Sequence, residues 1–532
     1  MDHWNVFDAN CTVGRHLRLQ EGGLHSRAHL LDEMDHYGIA EALVLDSLSR
    51  ENHPAEGNPR VLEATAGHPR LHPVWSALPT GAPDEQPSGE ELLRQMRAQG
   101  VAALVLYPRQ YRFELSDWCI DELLAPLAAA RVPVFINGTE IGPGAGGWQD
   151  GTDWNAVVAL CRRHPTLPVI VSEYRIRRSQ RLVYRAFEAC PNLHLELSAW
   201  WLHRGIEYVS ERWGSQRLLF GSNWPTSGAH MTLATLTAAD ISPEAKRGIA
   251  GDNLRRLLRW RDVCHPAWQP PPPADEFVRF GRSGVRPPAM TFLDCHGHRG
   301  QYACHYHLPN ASLDGIVADM DRLGVLTTCI FSFSGVFSDE QPGNDLVAEA
   351  VRRHPGRFVG FTLLNPHRGR DAMRAELQRG AEMGLRGIKL IPYYQGYPEE
   401  GPLIDVACQW AHDRQQIILN HSWGSPAQVE RLVSTYPGAC FITGHTTTAY
   451  AAIMKQHPNL FVCSCPLLGP RSCEEVVGAI GADRLLFGSD LEDLPIAWGL
   501  GPILFSRLSP DEKRKILGGN LERILARYSL KA

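Results

Sequence analysis

The side chains in this sequence best suited to holding a cation or moving a proton cluster in its second half, each near the end of an apolar run. His296 and His298 stand two apart in FLDCHGH at 292–298. Alternation along a strand points both imidazoles the same way, so both can reach one ion. His421 ends the run QIILNHSW at 416–423, His445 lies in CFITGHTT at 440–447, and Asp490 lies in LLFGSDL at 485–491. An HxH pair alone is a weak signal, and His305 and His307 form another in a loop-like context. The stronger signal is that metal-compatible side chains gather at matching strand ends, where they would face one rim.

Zinc favours three nitrogen ligands and an open position, and it lowers the pKa of a water there to about 7. Asp490 can both touch such a metal and accept the water's proton, which makes it the candidate general base. His445 suits a polarising or proton-donating role. Asp294 shares the strand face of His296 one step deeper, and reads either as a group orienting a ligand histidine or as a buried structural acid. Lys389 ends the run GIKLIPYY at 387–394, where its ammonium can meet a substrate carboxylate or reach rim solvent. Trp423, Arg299 and the loop residues His305, His307, Tyr393, Tyr394, Tyr397, Glu492 and Asp493 are candidates to shape the pocket, with Trp423 and Arg299 taken as substrate contacts.

These residues need elements to carry them. The second half alternates eight short β-branched runs, at 292–298, 326–333, 358–365, 387–394, 416–423, 440–447, 460–466 and 485–491, with helical patterns such as Ser312 to Leu323 and Pro426 to Tyr436. Eight strands each followed by a helix are the arithmetic of a (β/α)8 barrel with chemistry at the strands' C-terminal ends. The first half follows the same order near 6–12, 41–47, 71–78, 103–108, 132–138, 168–174, 193–198 and 217–223. RLLFGSN at Arg217 to Asn223 returns as RLLFGSD at Arg484 to Asp490, and ISPEAKRGIAGDNLRRLL returns as LSPDEKRKILGGNLERIL; Asn223 and Asp490, like Asn253 and Asn520, lie 267 positions apart. The chain therefore reads as α/β, two tandem TIM-type barrels at 1–260 and 290–532. A Pro-rich linker without helical period is expected at 261–289.

The 532 residues exceed one ordinary domain, and 44% hydrophobic with 21% charged is a globular composition. A net charge of −5 and a pI near 6.5 give no electrostatic reason to expect nucleic acid or an anionic membrane as partner. A small-molecule substrate is the expected partner. MDHWNVFDANC lacks the basic start and apolar stretch of a secretory signal, which points to the cytoplasm. The scattered cysteines, Cys329, Cys440 and Cys463 among them, read as reduced core residues; Cys463 and Cys465 form a CxC whose alternation puts both on one strand face.

LDCHGH, HPGRFVGFTLLNP, GLRGIKLIP, LNHSWG, ITGHT, RLLFGSD and ILGGN together give residues 291–530 a resemblance to the amidohydrolase superfamily. Within it they resemble the amidohydrolase-related group that includes decarboxylases similar to aminocarboxymuconate-semialdehyde decarboxylase. The resemblance implies a divalent metal, usually zinc, held by His296, His298, His421 and Asp490, with His445 beside it. It also implies two readings of Lys389, a carboxylated bridge between two metals or a substrate-binding ammonium. One zinc per chain is expected, with manganese or a binuclear site as alternatives. The activity expected first is hydrolysis of a small amide, ester, lactone or related C–N or C–O bond. A carboxy-lyase is the second reading and a non-catalytic binding protein the third.

Aligning the halves replaces every one of these residues. Asn10 and Thr12 stand at His296 and His298, Gly138 at His421, Glu173 at His445, Asn223 at Asp490 and Val105 at Lys389. One carboxylate with neutral neighbours is a poor zinc site. The first half is thus expected to be a degenerate, metal-free barrel that supports the second as a pseudo-dimer, with further homo-oligomerisation open.

Overall fold

The computed structural model describes residues 4–17, 23–141, 151–174, 176–262 and 265–528. They form two compact units that divide between Gly284 and Val285, apart from Leu468–Pro470, which groups with the first. Each unit holds eight parallel strands in sequential order, a nearly closed TIM-type barrel. In the first unit these are β1 Val6–Val13, β2 Ile39–Asp46, β3 Leu71–Ser76, β4 Ala103–Leu106, β5 Val134–Ile136, β6 Val169–Val171, β7 Leu193–Glu196 and β8 Leu218–Leu219. In the second they are β9 Phe292–Arg299, β10 Val325–Ser332, β11 Phe358–Leu363, β12 Gly387–Leu390, β13 Ile417–Asn420, β14 Cys440–Thr443, β15 Leu460–Cys463 and β16 Leu485–Leu486.

All sixteen expected strands are present, but most are shorter than expected at their C-terminal ends. Runs such as IILN and CFIT are buried throughout, as a parallel sheet covered on one face by helices and on the other by its own interior requires. Beyond those runs the ladder stops, and the residues suited to chemistry, among them His421, His445 and Asp490, sit in the loops that follow. The helices start where a side chain can satisfy free amides. Ser312 accepts from the Gly315 amide at the head of the helix Leu313–Leu323, and Ser509 with Glu512 forms a reciprocal cap on Pro510–Arg514.

The repeated stretch near each barrel's end is explained by closure. In both units the helix widens into a π-turn, Gly248–Asp252 and Lys515–Gly519. A carbonyl in each widened turn accepts from the last strand: Ile249 from the Phe220 amide and Ile516 from the Phe487 amide, both at 3.0 Å. Asn253 and Asn520 then follow, each donating through its side-chain amide to two backbone carbonyls around the final strand, at 2.8–2.9 Å. The residues that match best between the halves therefore build the scaffold.

One expectation fails. The 261–289 segment is not without helical structure, because Glu276–Ser283 is a helix capped by Asp275, which accepts from the Val278 amide at 2.8 Å. Its Phe277, Val278 and Phe280 are buried, and it belongs to the first unit. Pro270 to Pro273 and Gly284 bracket it so closely that its eight residues are lost in the surrounding composition. Every described cysteine is free, with Cys329, Cys440 and Cys463 buried. Among the described residues no helix is long and apolar enough to cross a membrane.

Candidate metal centre

The C-terminal rim of the second barrel brings His296, His298 and Asp490 together, one ligand atom from each lying within 4.8 Å of the others. Backbone closure sets this up. The Asp490 amide donates to the His296 carbonyl at 2.9 Å, and the His298 amide donates to the Leu491 carbonyl at 2.8 Å, so the loop after β16 is zipped onto β9. Asp490 itself takes a left-handed φ of 59°, which aspartate tolerates better than most residues. Its Oδ1 is 2.8 Å from His298 Nε2 and 3.4 Å from His296 Nε2.

His421 and His445 lie beside this group with tilted rings whose centroids are 4.1 Å apart, and His445 lies 6.4 Å from His296 by the same measure. His421 is therefore brought to the site but does not belong to the tight three-atom group. Exposed Tyr393 lies nearly parallel to its ring at 5.9 Å. Phe331 and Phe333, at the end of β10, form an aromatic wall: Phe333 stacks on His298 at 4.4 Å, and Phe331 sits edge-on to it at 4.5 Å. The sequence pattern FSFSG carried that signal, but it was absorbed into the strand.

The donor set is in the state a cation needs. Burial holds His296 well below the usual imidazole range, and burial with the neighbouring charges brings His421 to about 2 and lowers His445. These rings are neutral, with lone pairs free. Burial alone would raise Asp490, but the His298 hydrogen bond and the adjacent imidazoles hold it well below the carboxylate range, so it is ionised. His298 Nδ1 and Lys389 Nζ are buried polar atoms without a hydrogen-bond partner. Three convergent donors, two imidazoles and an ionised carboxylate, fit a divalent cation.

Lys389, on β12, is fully buried, with Nζ 4.1 Å above the Phe331 ring. Burial brings its ammonium down to about 7, with Asp490 pulling the other way. It does not snorkel to solvent. Arg299 turns away from the imidazoles toward buried Glu492, 3.4 Å away, whose other oxygen accepts from the Gly300 amide at 2.6 Å. Burial raises Glu492 to about 8. Trp423 lies in the core rather than in the pocket: it is 1% exposed, its indole N–H donates to the Ile442 carbonyl at 3.1 Å, and its ring packs on Phe441. Tyr397 is likewise buried and accepts from the Ile391 amide.

Asp294 is structural. It accepts from the His296 amide at 3.0 Å, the Ser489 amide at 3.0 Å and the Ser489 hydroxyl at 2.5 Å, and touches no ring nitrogen. The first barrel keeps the same device without any of the imidazoles: Asp8 accepts from the Asn10 and Ser222 amides, each at 3.0 Å.

At the matching rim of the first barrel, the end of β7 meets Asn10 in a network of side-chain hydrogen bonds. Glu196, the last residue of β7, is fully buried and accepts from Asn10 at 3.0 Å, Ser172 at 2.8 Å and the Ser198 hydroxyl and amide at 2.8 and 2.5 Å. A cavity of about 30 Å³ lies beside Asn10, Thr12 and Val105, and one of about 530 Å³ is lined in part by Gly138 and Thr152. Glu173 pairs with Thr152. The first unit also gathers Glu41, His72 and His265, but toward the N-terminal ends of β2 and β3, away from the rim where barrels do chemistry. Arg255 occupies Glu41 Oε1 at 2.7 and 3.0 Å while the two imidazoles occupy Oε2 at 2.8 and 2.7 Å. Burial would raise Glu41, but these three partners hold it at about 2. This is a closed charge network tying residue 265 to the barrel.

Parallel strands in closed order, with imidazoles and a carboxylate at the C-terminal rim, define a TIM-barrel protein with a candidate divalent-cation centre. The chain belongs to the amidohydrolase family, whose model matches residues 44–260 and 293–527, one segment in each barrel. No curated protein matches the sequence. Among solved structures it is similar to an uncharacterized TIM-barrel protein from Bordetella bronchiseptica, at 17% identity over 45% of this chain and 99% of that one, TM-score 0.38. It is also similar to 5-carboxyvanillate decarboxylase from Sphingomonas paucimobilis, at 15% identity over 45% of this chain and 100% of that one, TM-score 0.34. A third is a dihydroxybenzoic acid decarboxylase from Polaromonas with bound manganese and 2-nitroresorcinol, at 17% identity over 44% of this chain and 98% of that one, TM-score 0.35.

Proposed function

We propose that the second barrel is a metal-dependent hydrolase of a small-molecule amide, ester, lactone or related C–N or C–O bond. The observation that carries this reading is the convergence of His296, His298 and Asp490 at the rim of a closed barrel. His296, His298, Asp490 and His421 would hold a divalent metal, zinc first and manganese as the alternative, which would supply Lewis acidity and lower the pKa of water toward about 7. Asp490, ionised and 2.8 Å from His298, is the proton acceptor. His445 is partly buried and its pKa is lowered, which keeps the ring neutral; it lies 6.4 Å from His296 between ring centroids and is placed to polarise a carbonyl or pass a proton to a leaving group. Phe331 and Phe333 exclude water from this side of the imidazoles.

One observation favours a second reading, a carboxy-lyase. Lys389 Nζ is buried with no hydrogen-bond partner, and a substrate carboxylate would satisfy it. Turnover of a panel of small carboxylate-bearing amides, esters and lactones in ¹⁸O-labelled water separates the two. Hydrolysis puts the label into the organic product, whereas release of CO₂ with an unlabelled organic product supports the lyase. Lys389→Met should raise KM for carboxylate-bearing substrates by about tenfold or more and leave neutral analogues unaffected. A panel turned over at an unchanged rate by Asp490→Asn would overturn both readings.

A further inference from the structure

The ring of His296 has a neighbour at each nitrogen. Nε2 faces Asp490 at 3.4 Å, and Nδ1 faces the sulfur of Cys463 at 3.7 Å. Cys463 closes β15 and is fully buried, as His296 nearly is. Their approach depends on Gly488. A Cβ at that position would overlap Cys463 Sγ and come within 3.0 Å of His296 Cβ.

The first barrel repeats this arrangement with different chemistry. Glu196, 267 positions before Cys463, closes β7 and accepts from Asn10, the residue aligned with His296. Gly221, 267 positions before Gly488, clears the space, since a Cβ there would overlap the Glu196 carboxylate. In both barrels, then, the end of the seventh strand reaches across a glycine two residues past the eighth to meet the same position on the first.

We propose that Cys463 is a positioning residue for the metal centre: its sulfur accepts the Nδ1–H of His296, fixes the ring's tautomer and turns the Nε2 lone pair toward Asp490 and the cation. The inference rests on the metal-dependent reading above. An imidazole that ligates through one nitrogen needs an acceptor for the proton on the other, and that acceptor is commonly a carboxylate or carbonyl. Sulfur accepts more weakly but brings no charge into a site that already holds Asp490. The carboxylate at this position in the first barrel holds the neutral side-chain amide of Asn10 instead.

The test is zinc affinity of the full chain, by chelator competition, for the natural protein, Cys463→Ser and Cys463→Ala, with ring ¹⁵N shifts of metal-free His296 recorded alongside. Cys463→Ala should weaken zinc binding about tenfold or more and leave His296 as a mixture of tautomers. Cys463→Ser, which keeps an acceptor, should stay within about threefold of the natural protein and keep one tautomer. Equal losses in both variants, or an unchanged affinity and tautomer in Cys463→Ala, would mean that Cys463 only packs and would overturn the proposal. A natural chain that binds no zinc or manganese would overturn the metal-dependent reading itself. The two failures are therefore distinct.

Discussion

The two barrels share a backbone plan but spend their rims differently. The second places imidazoles around an ionised Asp490 and leaves Lys389 Nζ and His298 Nδ1 without hydrogen-bond partners. The first surrounds Glu196 with Asn10, Ser172 and Ser198 and leaves a cavity of about 30 Å³. Unmet hydrogen-bonding capacity in a buried site is costly, so where it persists it points to a ligand; a satisfied network points to a scaffold. The difference between the two rims thus lies in polar satisfaction as much as in the loss of histidines.

The largest test of this contrast exchanges the residues that occupy the same left-handed corner. Asn223 has φ 57° and Asp490 φ 59°, so each tolerates the other's side chain. Asp490→Asn should cut turnover about 10³-fold or more with little change in melting temperature, because the charge is lost while the backbone stays. Asn223→Asp should add neither activity nor metal, since Asn10 and Thr12 offer no imidazole. Next in size is Glu196→Ala, expected to destabilise the chain by about 3 kcal/mol by stranding Asn10, Ser172 and Ser198, with metal content unchanged; denaturant unfolding and elemental analysis measure the two effects.

A smaller effect separates scaffold from site within the second barrel. Burial raises Asp8 to about 6 and Asp294 to about 7, above the 3.8 of a free carboxyl. A raised folded pKa means that the folded state holds its proton longer than the unfolded chain does. The contribution of each group is fully present below about pH 3.8 and is lost as pH rises through about 6 for Asp8 and about 7 for Asp294. Asp8→Asn and Asp294→Asn should each remove that slope from the pH dependence of unfolding, and Asp8→Asn should leave zinc affinity unchanged. A slope that survives both substitutions would contradict the shared structural role. The smallest effect is Trp423→Phe, which gives up one hydrogen bond to Ile442 at a cost of about 1 kcal/mol and leaves KM unchanged.

Periodicity made the fold legible, since strands buried on both faces and capped amphipathic helices write their patterns into the sequence, and all sixteen strands lie where those patterns put them. His296, His298 and Asp490 were legible because strand ends aim side chains predictably, and the structure brings them together. Trp423 shows where that logic stops. Two residues past His421 it shares the strand's phase, yet after β13 ends at Asn420 the chain turns, and the indole folds back to Ile442. Asp294 was ambiguous alone, and its partner Asp8 in a barrel without imidazoles resolves it. Cys463 read as core because alternation records only which face a residue takes, not the ring nitrogen it meets. Comparing its position with Glu196 would have exposed a site where the halves differ in chemistry but not in reach.

The central claim is that the second barrel holds the metal and the first does not. Elemental analysis of the full chain after equilibration with zinc and removal of excess tests it most directly. The account predicts about one equivalent in the natural chain and in Asn10→Ala/Thr12→Ala, and close to none in His296→Ala/His298→Ala. A full equivalent retained after both histidines are replaced would contradict it.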